Sequence, residues 1–251
     1  GLYCMKKGSP PIVFTVRAER ALFTRHDLRV ERFTYPVPTF GALAGVLRSI
    51  YAKPVFYWVP TRALILNPIQ YQNIQVNEVK DAIITQRPFI APDRRVQKMQ
   101  TYLYDVHYVV EAHFEWSGKV PEDENLGKHL DIFCRSLEAG GRRDVFLGLR
   151  ECTAIVEPID VKFDAFNPQD RFNAVVKEQQ DAWKRIGQTG LTMSIGLMFH
   201  GWEWGSANDG TDTPMFFNAM VRNGILDYPH PDDSVLIRQK FERKGGPHSD
   251  C

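Results

Sequence analysis

The chain has 251 residues, of which 43% are hydrophobic and 24% are charged, a composition typical of a soluble globular protein. The net charge of +1, taken alone, argues against a nucleic-acid-binding protein, but the charges are unevenly distributed. Residues 1–100 carry 15 Lys and Arg against 6 Asp and Glu, whereas residues 101–251 carry 16 against 24. A basic first part can attract phosphate whatever the total, although a solvated basic surface balanced by an acidic one is the alternative.

The cysteines and the apolar runs exclude further classes of protein. The four cysteines are scattered, without a CxxC pair or clustered histidines, which argues against structural zinc and a disulfide framework. We therefore expect reduced thiols in a cytoplasmic protein. No apolar run approaches the length of a membrane span and no signal peptide is visible, so no membrane association is expected. The GxGxxG and GxxxxGK[ST] motifs are also absent, and we expect no cofactor.

The first fifty residues predict one strand, a basic segment and one helix. Residues 10–16 are β-rich and predict the first strand. Residues 17–35 are basic and aromatic without a clear period, so they predict a loop or a hairpin. Its basic residues include Arg20, Arg25 and Arg32. Thr39 is expected to cap a helix over residues 40–51, in which Tyr51 falls at the edge of the apolar face in the last turn.

The next segment predicts an extended region interrupted by a loop. Residues 55–66 are β-branched and aromatic and predict a second strand, and residues 69–79 predict another extended piece. Residues 80–98 contain two prolines and several basic residues and predict a long, mobile loop. Residues 103–116 alternate cleanly between apolar and polar side chains, which predicts a half-buried strand. The residues expected on its apolar face are Val106, Tyr108, Val110, Ala112, Phe114 and Trp116.

A second helix precedes a basic turn. Its apolar face is predicted to consist of Leu126, Leu130, Phe133 and Leu137, which recur at helical spacing. Asp123 or Asn125 can cap its start, and Gly140 and Gly141 tolerate a left-handed end. Lys128 and His129 are expected to lie outside the apolar face, and Arg142 and Arg143 follow the glycines. Residues 145–163 predict a last strand of this part.

The order of these elements predicts an α+β fold. Strand, helix, strand, strand, helix, strand is the order of the ferredoxin-like (RRM-like) βαββαβ unit, which we expect over residues 10–163. Residues 164–244 predict a smaller C-terminal antiparallel β-rich domain, with a short helix at 174–186 and strands at 191–204 and 215–229. Residues 1–9 and 245–251 are expected to be flexible.

His129 is the residue whose neighbourhood best suits proton transfer. An unperturbed histidine titrates near neutral pH, and Lys128 is adjacent to it, although a Lys-His pair on a helix is more often a solvated edge. His107 and His113 lie too far apart along one strand to bind one metal, and no metal site is expected. No paired carboxylates stand out, so a nuclease here would use the RNA 2′-hydroxyl as nucleophile, with histidine, lysine and tyrosine as helpers.

Four runs of sequence together resemble a family of CRISPR-associated proteins. They are RFTYPVPTFGALAGVLRSIYAKP (32–54), LNPIQ (66–70), YLYDVHYVVEAHFEW (102–116) and GKHLDIFCRSLEAGGRRDVFLGLREC (127–152), with weaker support from YPHPDD (228–233). Their order and spacing resemble the RAMP-superfamily endoribonuclease of subtype I-C, the Dvulg branch of the fifth Cas family (Cas five-d). The resemblance implies a metal-independent, repeat-specific enzyme that cleaves CRISPR precursor RNA and leaves a 2′,3′-cyclic phosphate and a 5′-hydroxyl.

The resemblance also implies the site residues and the partners. Family members use a tyrosine at the end of the first helix and a Lys-His pair on the second, which correspond to Tyr51, Lys128 and His129. The residues implied or expected to bind RNA are Arg20, Arg25, Arg32, Gly140, Gly141, Arg142 and Arg143. The implied partners are precursor RNA, the 5′ handle of the mature guide RNA and the other subunits of the subtype I-C interference complex. A non-catalytic subunit that caps the guide-RNA 5′ handle and also binds duplex DNA is the alternative.

Overall fold

The computed structural model describes residues 8–25, 33–79, 95–159, 171–203 and 213–239. Within these residues the chain forms an α+β fold with one large antiparallel sheet and three α-helices. The strands are β1 (Ile12–Ala21), β2 (Phe56–Ile65), β3 (Tyr71–Val79), β4 (Arg95–Trp116), β5 (Ala154–Pro158), β6 (Met193–Glu203), β7 (Thr213–Arg222), β8 (Ile225–Asp227) and β9 (Ile237–Arg238). The helices are α1 (Phe40–Ile50), α2 (Leu126–Glu138) and α3 (Arg171–Arg185).

Strand β4 pairs with three other strands of the sheet, which has the order β5-β1-β4-β2-β8-β7-β6. Its first half pairs with β3, and its second half lies between β1 and β2. The pairing of β2 with β8 continues the sheet into the C-terminal strands. The register places Phe14 opposite Val110 and Trp58 opposite Phe114, so large apolar side chains of neighbouring strands share one face.

The helices cover both faces of this sheet. Buried side chains of α1 and α2 join Phe14 of β1 and Val110 of β4 in the main core. Helix α3 contributes Phe172, Val176 and Trp183 to a second cluster with Leu64 and Val109. Successive residues of a strand point to opposite faces, so α3 lies on the face opposite to α1 and α2. The apolar face predicted for β4 is confirmed, since five of its six residues are buried in the main core and Trp116 packs against it.

Two predicted loops are partly strand. Strand β1 continues to Ala21, inside the segment predicted as a loop or hairpin, because it pairs with β4 as far as Leu103. Strand β4 begins at Arg95, inside the predicted 80–98 loop, because its first residues pair with β3. Residues 80–94 lie outside the described part of the chain. Pairing with a neighbouring strand, which local sequence does not reveal, decides both boundaries.

The strand predicted over residues 145–163 is shorter in the structure. Only Ala154–Pro158 form β5, and residues 146–153 make a turn closed by the bridge between Phe146 and Thr153. Gly148 has φ +87°, and a Cβ atom there would lie 1.7 Å from the Leu22 carbonyl oxygen. A left-handed backbone packed this closely against β1 interrupts the strand. Residues 160–163 lie outside the described ranges.

The C-terminal strands follow the predicted order. Helix α3, strand β6 and the β7–β8 hairpin match the predicted elements within a few residues. Asn223 and Gly224 connect the hairpin with φ values of 48° and 86°, as a two-residue turn requires. The division into a first and a second domain stays a prediction. None of the described helices has both the length and the apolar character needed to cross a membrane.

Candidate active site

Tyr51 leaves helix α1 at its C-terminal cap. Thr39 caps the start of the helix by accepting a hydrogen bond from the Ala42 N–H, as predicted. At the other end, the Tyr51 N–H donates to the Leu47 carbonyl while the Tyr51 backbone is extended, with φ −159° and ψ 130°. The Tyr51 carbonyl accepts a hydrogen bond of 2.7 Å from Nε1 of Trp58. These bonds hold the residue at the junction between α1 and β2.

His129 lies in the first turn of α2 and contacts Tyr51 directly. Asn125 caps this helix by accepting from the Lys128 N–H. The Tyr51 hydroxyl is 2.8 Å from Nδ1 of His129, and Nε2 of His129 is 2.8 Å from the Asp123 carbonyl oxygen. A carbonyl can only accept, so Nε2 carries the hydrogen, and in the neutral ring Nδ1 accepts from the tyrosine hydroxyl. The two hydrogen bonds therefore define the tautomer of His129.

The prediction that His129 lies outside the apolar face of α2 is wrong. The side chain is 0% exposed, whereas Leu126, predicted to face the core, is 40% exposed. The buried residues of α2 are His129, Phe133, Ser136 and Leu137, so the buried face is rotated relative to the predicted one. Aromatic rings surround the imidazole, with Phe56 at 5.4 Å and Trp116 at 5.8 Å between ring centroids. Because both ring nitrogens have partners, this burial leaves neither of them unsatisfied.

Lys128 lies at the exposed rim of the cluster and pairs with Asp123. Its ammonium donates to the Asp123 carboxylate, whose other oxygen is 3.6 Å from Nε2 of His129. The hydrogen bond lowers the pKa of Asp123 and raises the pKa of Lys128, so both groups are charged at neutral pH. Asp123 thus contacts both members of the Lys-His pair, through its carboxylate and through its backbone carbonyl.

Arg142 covers the ring of Tyr51. Its guanidinium carbon is 4.9 Å from the ring centroid, and its Nε donates to Oγ of Ser136. Burial raises the pKa of Tyr51, and the positive charges of Arg142 and Lys128 oppose this rise. The tyrosine is 1% exposed and therefore remains a neutral hydroxyl. Arg142, predicted to bind RNA, thus contacts a residue of the predicted catalytic set.

The glycine-arginine turn is attached to the end of α1. Gly140 and Gly141 have φ values of 82° and 102°, which fits the predicted left-handed end of α2. The N–H groups of Arg142 and Arg143 both donate to the Ser49 carbonyl at 3.1 Å. Beside this turn lies a groove of about 880 Å³ between the last turn of α1 and residues 140–154.

The other basic residues predicted to bind RNA have contacts elsewhere. Arg20 lies one residue before the end of β1, opposite Tyr104, with its guanidinium 3.5 Å from the Glu19 carboxylate. The Arg25 guanidinium lies over the ring of Tyr35 at 5.3 Å. Arg32 lies outside the described residues. A role for these three arginines in RNA binding stays a prediction.

The sequence patterns did not predict three residues that contribute to this region. The sequence predicts Asp123 only as a possible helix cap, although an acidic residue five positions before Lys128 can reach its ammonium. Ser136 orients Arg142 and has no local signal. Arg48 lines the groove beside the glycine-arginine turn, and its position three residues before Tyr51 on α1 could have indicated it.

Comparisons with known proteins assign this chain to a family. The family model of the Cas5d CRISPR-associated proteins matches residues 12–229. A protein of Thermus thermophilus named CRISPR pre-crRNA endoribonuclease Cas5d is 35% identical over 224 residues, which are 89% of this chain and 93% of that protein. A protein of Mannheimia succiniciproducens with the same name is 28% identical over 223 residues, 83% of this chain and 90% of its own length.

Solved structures show the same relationship. The crystal structure of a CRISPR-associated protein has a TM-score of 0.65 and 26% identity, and the match covers 92% of this chain and 98% of that one. The crystal structure of a functionally uncharacterised protein of Streptococcus mutans has a TM-score of 0.63 and 28% identity, with 92% and 99% covered. The chain therefore belongs to the Cas5d family of CRISPR-associated proteins.

Proposed function

We propose that this protein is an endoribonuclease that cuts the repeat in CRISPR precursor RNA without a metal ion. Its two relatives are named for cleavage of precursor RNA, and the chain aligns with most of their length. The observation that carries the proposal is the 2.8 Å contact between the Tyr51 hydroxyl and Nδ1 of His129, with Lys128 adjacent. The product keeps its 5′ handle on the protein, which joins the other subunits of the subtype I-C interference complex.

Tyr51 and His129 deprotonate the attacking 2′-hydroxyl in this proposal. The Tyr51 hydroxyl directs its hydrogen at Nδ1, so the tyrosine oxygen can accept a proton while its own proton passes to His129. Such a relay needs no tyrosinate, which the buried surroundings of Tyr51 disfavour. The hydrogen bond from Nε2 to the Asp123 carbonyl holds the ring in the accepting tautomer and stabilises the imidazolium that forms.

Lys128 acts on the phosphate. Its ammonium lies at the exposed rim, where it can contact a non-bridging oxygen and offset the charge of the phosphorane. The leaving 5′-oxygen takes its proton from the same ammonium, because an alkoxide is a far stronger base than a lysine amine. Together the three residues supply a base, a charge partner and an acid.

RNA reaches the cluster only when its covering side chains move. Tyr51 and His129 are both buried, so the 2′-hydroxyl cannot contact the tyrosine oxygen in the arrangement described. We infer that two side-chain contacts form this cover, namely Arg142 over the tyrosine ring and the pair of Lys128 with Asp123. A phosphate group competes for both cations, so we infer that RNA binding itself uncovers Tyr51.

We also infer that β1, α1, β2, β4, α2 and β5 form a ferredoxin-like unit. The strand order β5-β1-β4-β2 and a helix after β1 and after β4 support this inference. In such a unit the two helices lie on one face of the sheet. The connection of α1 to β2 and the start of α2 after β4 then meet at one end, where Tyr51 and His129 are in contact.

Cleavage of the cognate repeat RNA in excess chelator tests the proposal. We expect products with a 2′,3′-cyclic phosphate and a 5′-hydroxyl, and a large loss of rate for Lys128→Ala and His129→Asn. Circular dichroism and thermal melting of each variant establish that it is folded. Lys119→Ala, at an exposed lysine between β4 and α2, is the matched control and should cleave normally.

The alternative is a non-catalytic subunit that caps the 5′ handle of a guide RNA and binds duplex DNA. It predicts tight binding of the repeat RNA with no cleavage by the wild-type protein. Cleavage unaffected by both substitutions, or abolished by the chelator, contradicts the proposed enzyme. Binding to duplex DNA is measured separately and is compatible with either function.

A further inference from the structure

The groove beside the glycine-arginine turn is lined by four arginines and a single acidic residue. It has a volume of about 880 Å³ and runs between the last turn of α1 and the chain from Gly140 to Ala154. The charged residues of its lining are Arg48, Arg142, Arg143, Asp144 and Arg150. Gly45, Gly140 and Gly141 also line it and leave room for a ligand, since they carry no side chains.

The positions of these arginines are determined by the backbone. The Ser49 carbonyl accepts from both N–H groups of Arg142 and Arg143, which attaches one wall to α1. Arg150 follows the tight turn at Gly148, where a close contact with the Leu22 backbone leaves no room for a side chain. Arg48 projects from α1 itself, so the cations belong to a preformed groove rather than to a loose loop.

The positive charge of the groove is largely uncompensated. The Arg142 guanidinium donates to a neutral serine hydroxyl, and none of the ion pairs between described residues includes Arg48, Arg143 or Arg150. Several unpaired guanidinium groups that converge on a groove repel one another and are stabilised by an anionic ligand. Partial burial also lowers the pKa of Arg48, because its charge has lost part of its hydration.

The groove adjoins the candidate active site. Ala52, the neighbour of Tyr51, lies in its lining, and Arg142 contacts both the groove and the tyrosine ring. A polyanion in the groove therefore continues directly from a phosphate at Tyr51. We propose that the groove binds consecutive backbone phosphates of single-stranded RNA next to the scissile phosphate, with Arg48 on one wall and Arg143 and Arg150 on the other.

This inference rests on the proposed function and extends the RNA-binding surface to α1. Arginines and glycines contact the phosphates of any sequence, so the groove supplies affinity and register rather than base recognition. Each phosphate neutralised on a single strand contributes about 0.7 to the slope of log K against log salt concentration. The number of arginines that contact phosphate can therefore be counted by salt titration.

The test measures binding of repeat RNA with a 2′-deoxy substitution at the cleaved nucleotide, between low and high salt. For Arg48→Ala and Arg150→Ala we expect about tenfold weaker binding at low salt and a slope reduced by about 0.7 each. Arg48→Lys keeps the charge and should retain most of the slope. Arg222→Ala, at an exposed arginine on β7, is the control and should match the wild type.

The outcomes separate the two proposals. If the wild type cleaves the repeat while Arg48→Ala and Arg150→Ala retain its affinity and slope, the groove inference is overturned and the proposed function stands. An equal loss for Arg222→Ala also overturns it, because the effect would then reflect total charge. If the wild type binds the RNA with the predicted arginine dependence but does not cleave it, the groove stands and the enzyme is rejected. If it neither binds nor cleaves, both are rejected.

Discussion

The Tyr51 hydroxyl lies 2.8 Å from Nδ1 of His129, although 78 positions separate the two residues in the chain. The tyrosine ends α1 and the histidine begins α2, and both helices pack on the same face of the sheet. Nε2 of His129 donates to the Asp123 carbonyl, so Nδ1 of the neutral imidazole carries no hydrogen and accepts from the Tyr51 hydroxyl. One hydrogen bond thus brings together the two groups that we propose for proton transfer.

Tyr51→Phe removes that hydroxyl and little else. We expect single-turnover cleavage of repeat RNA to fall by about 10²–10⁴-fold, since a placed proton-transfer group contributes that much. RNA affinity should change less than about threefold because the ring and its contact with Arg142 remain. Tyr57→Phe, which removes a hydroxyl bonded to Glu115, is the matched control and should cleave normally. A Tyr51→Phe variant with the wild-type rate contradicts the relay.

A substrate with sulfur at the bridging 5′ position distinguishes base from acid. A thiolate leaves without a proton, so a defect in the general acid is relieved and a defect in the base is not. The Tyr51→Phe defect should therefore persist with this substrate, whereas the Lys128→Ala defect should shrink by about tenfold or more. Full relief of the Tyr51→Phe defect would assign the tyrosine to the leaving group instead.

Asp123→Asn tests whether the Asp123 carboxylate competes with RNA phosphate for Lys128. The substitution keeps the backbone carbonyl that holds His129 and removes the carboxylate that pairs with Lys128. RNA phosphate then no longer competes with this carboxylate, so we expect binding to tighten by roughly two- to fivefold at low salt, as for an exposed ion pair. Glu124→Gln removes the same charge one residue away and controls for total charge. Equal effects of the two substitutions would exclude a specific role of the pair.

Gly148→Ala is expected to destabilise the fold strongly. The residue has φ +87°, and an added Cβ would lie 1.7 Å from the Leu22 carbonyl oxygen, so strain and a steric clash act together. We expect a loss of about 3 kcal/mol or more in the free energy of unfolding, measured by chemical denaturation. Gly118→Ala is the matched control, with φ +69° and open space around it, and should cost only about 1–2 kcal/mol. Similar losses for both would show that the clash is relieved.

His200 should make stability depend on pH between about 4 and 6.5. Burial lowers the pKa of its imidazole to about 4, the ring stacks on Phe40, and its Nδ1 has no hydrogen-bond partner among the described residues. The unfolded chain therefore binds a proton below pH 6.5 that the folded chain does not, so stability falls as pH falls. The loss should approach roughly 3 kcal/mol near pH 4. Denaturation of His200→Gln should show a correspondingly weaker pH dependence, and an unchanged profile would contradict this assignment.

Short-range patterns predicted the helices and the buried face of β4. Thr39 and Asn125 cap their helices as expected, and the alternation of residues 103–116 matches the buried face of β4. Periodicity, caps and glycine turns act over a few residues, so a local reading of the sequence is sufficient for them. The boundaries of β1 and β4 were less well predicted because strand pairing decides them, and β5 begins later than predicted because the turn at Gly148 interrupts the strand.

The sequence by itself determined which residue types were available for chemistry, namely a tyrosine after one helix, a Lys-His pair on another and a glycine-arginine turn. Only the tertiary structure decided that His129 is buried among aromatic rings and that Asp123 holds both Lys128 and the imidazole. It also decided that Arg48 faces the glycine-arginine turn across a groove. The physical reason is that these contacts join segments that are distant in the chain. Such segments meet only when β4 pairs with β1 and β2 and both helices pack on the resulting sheet.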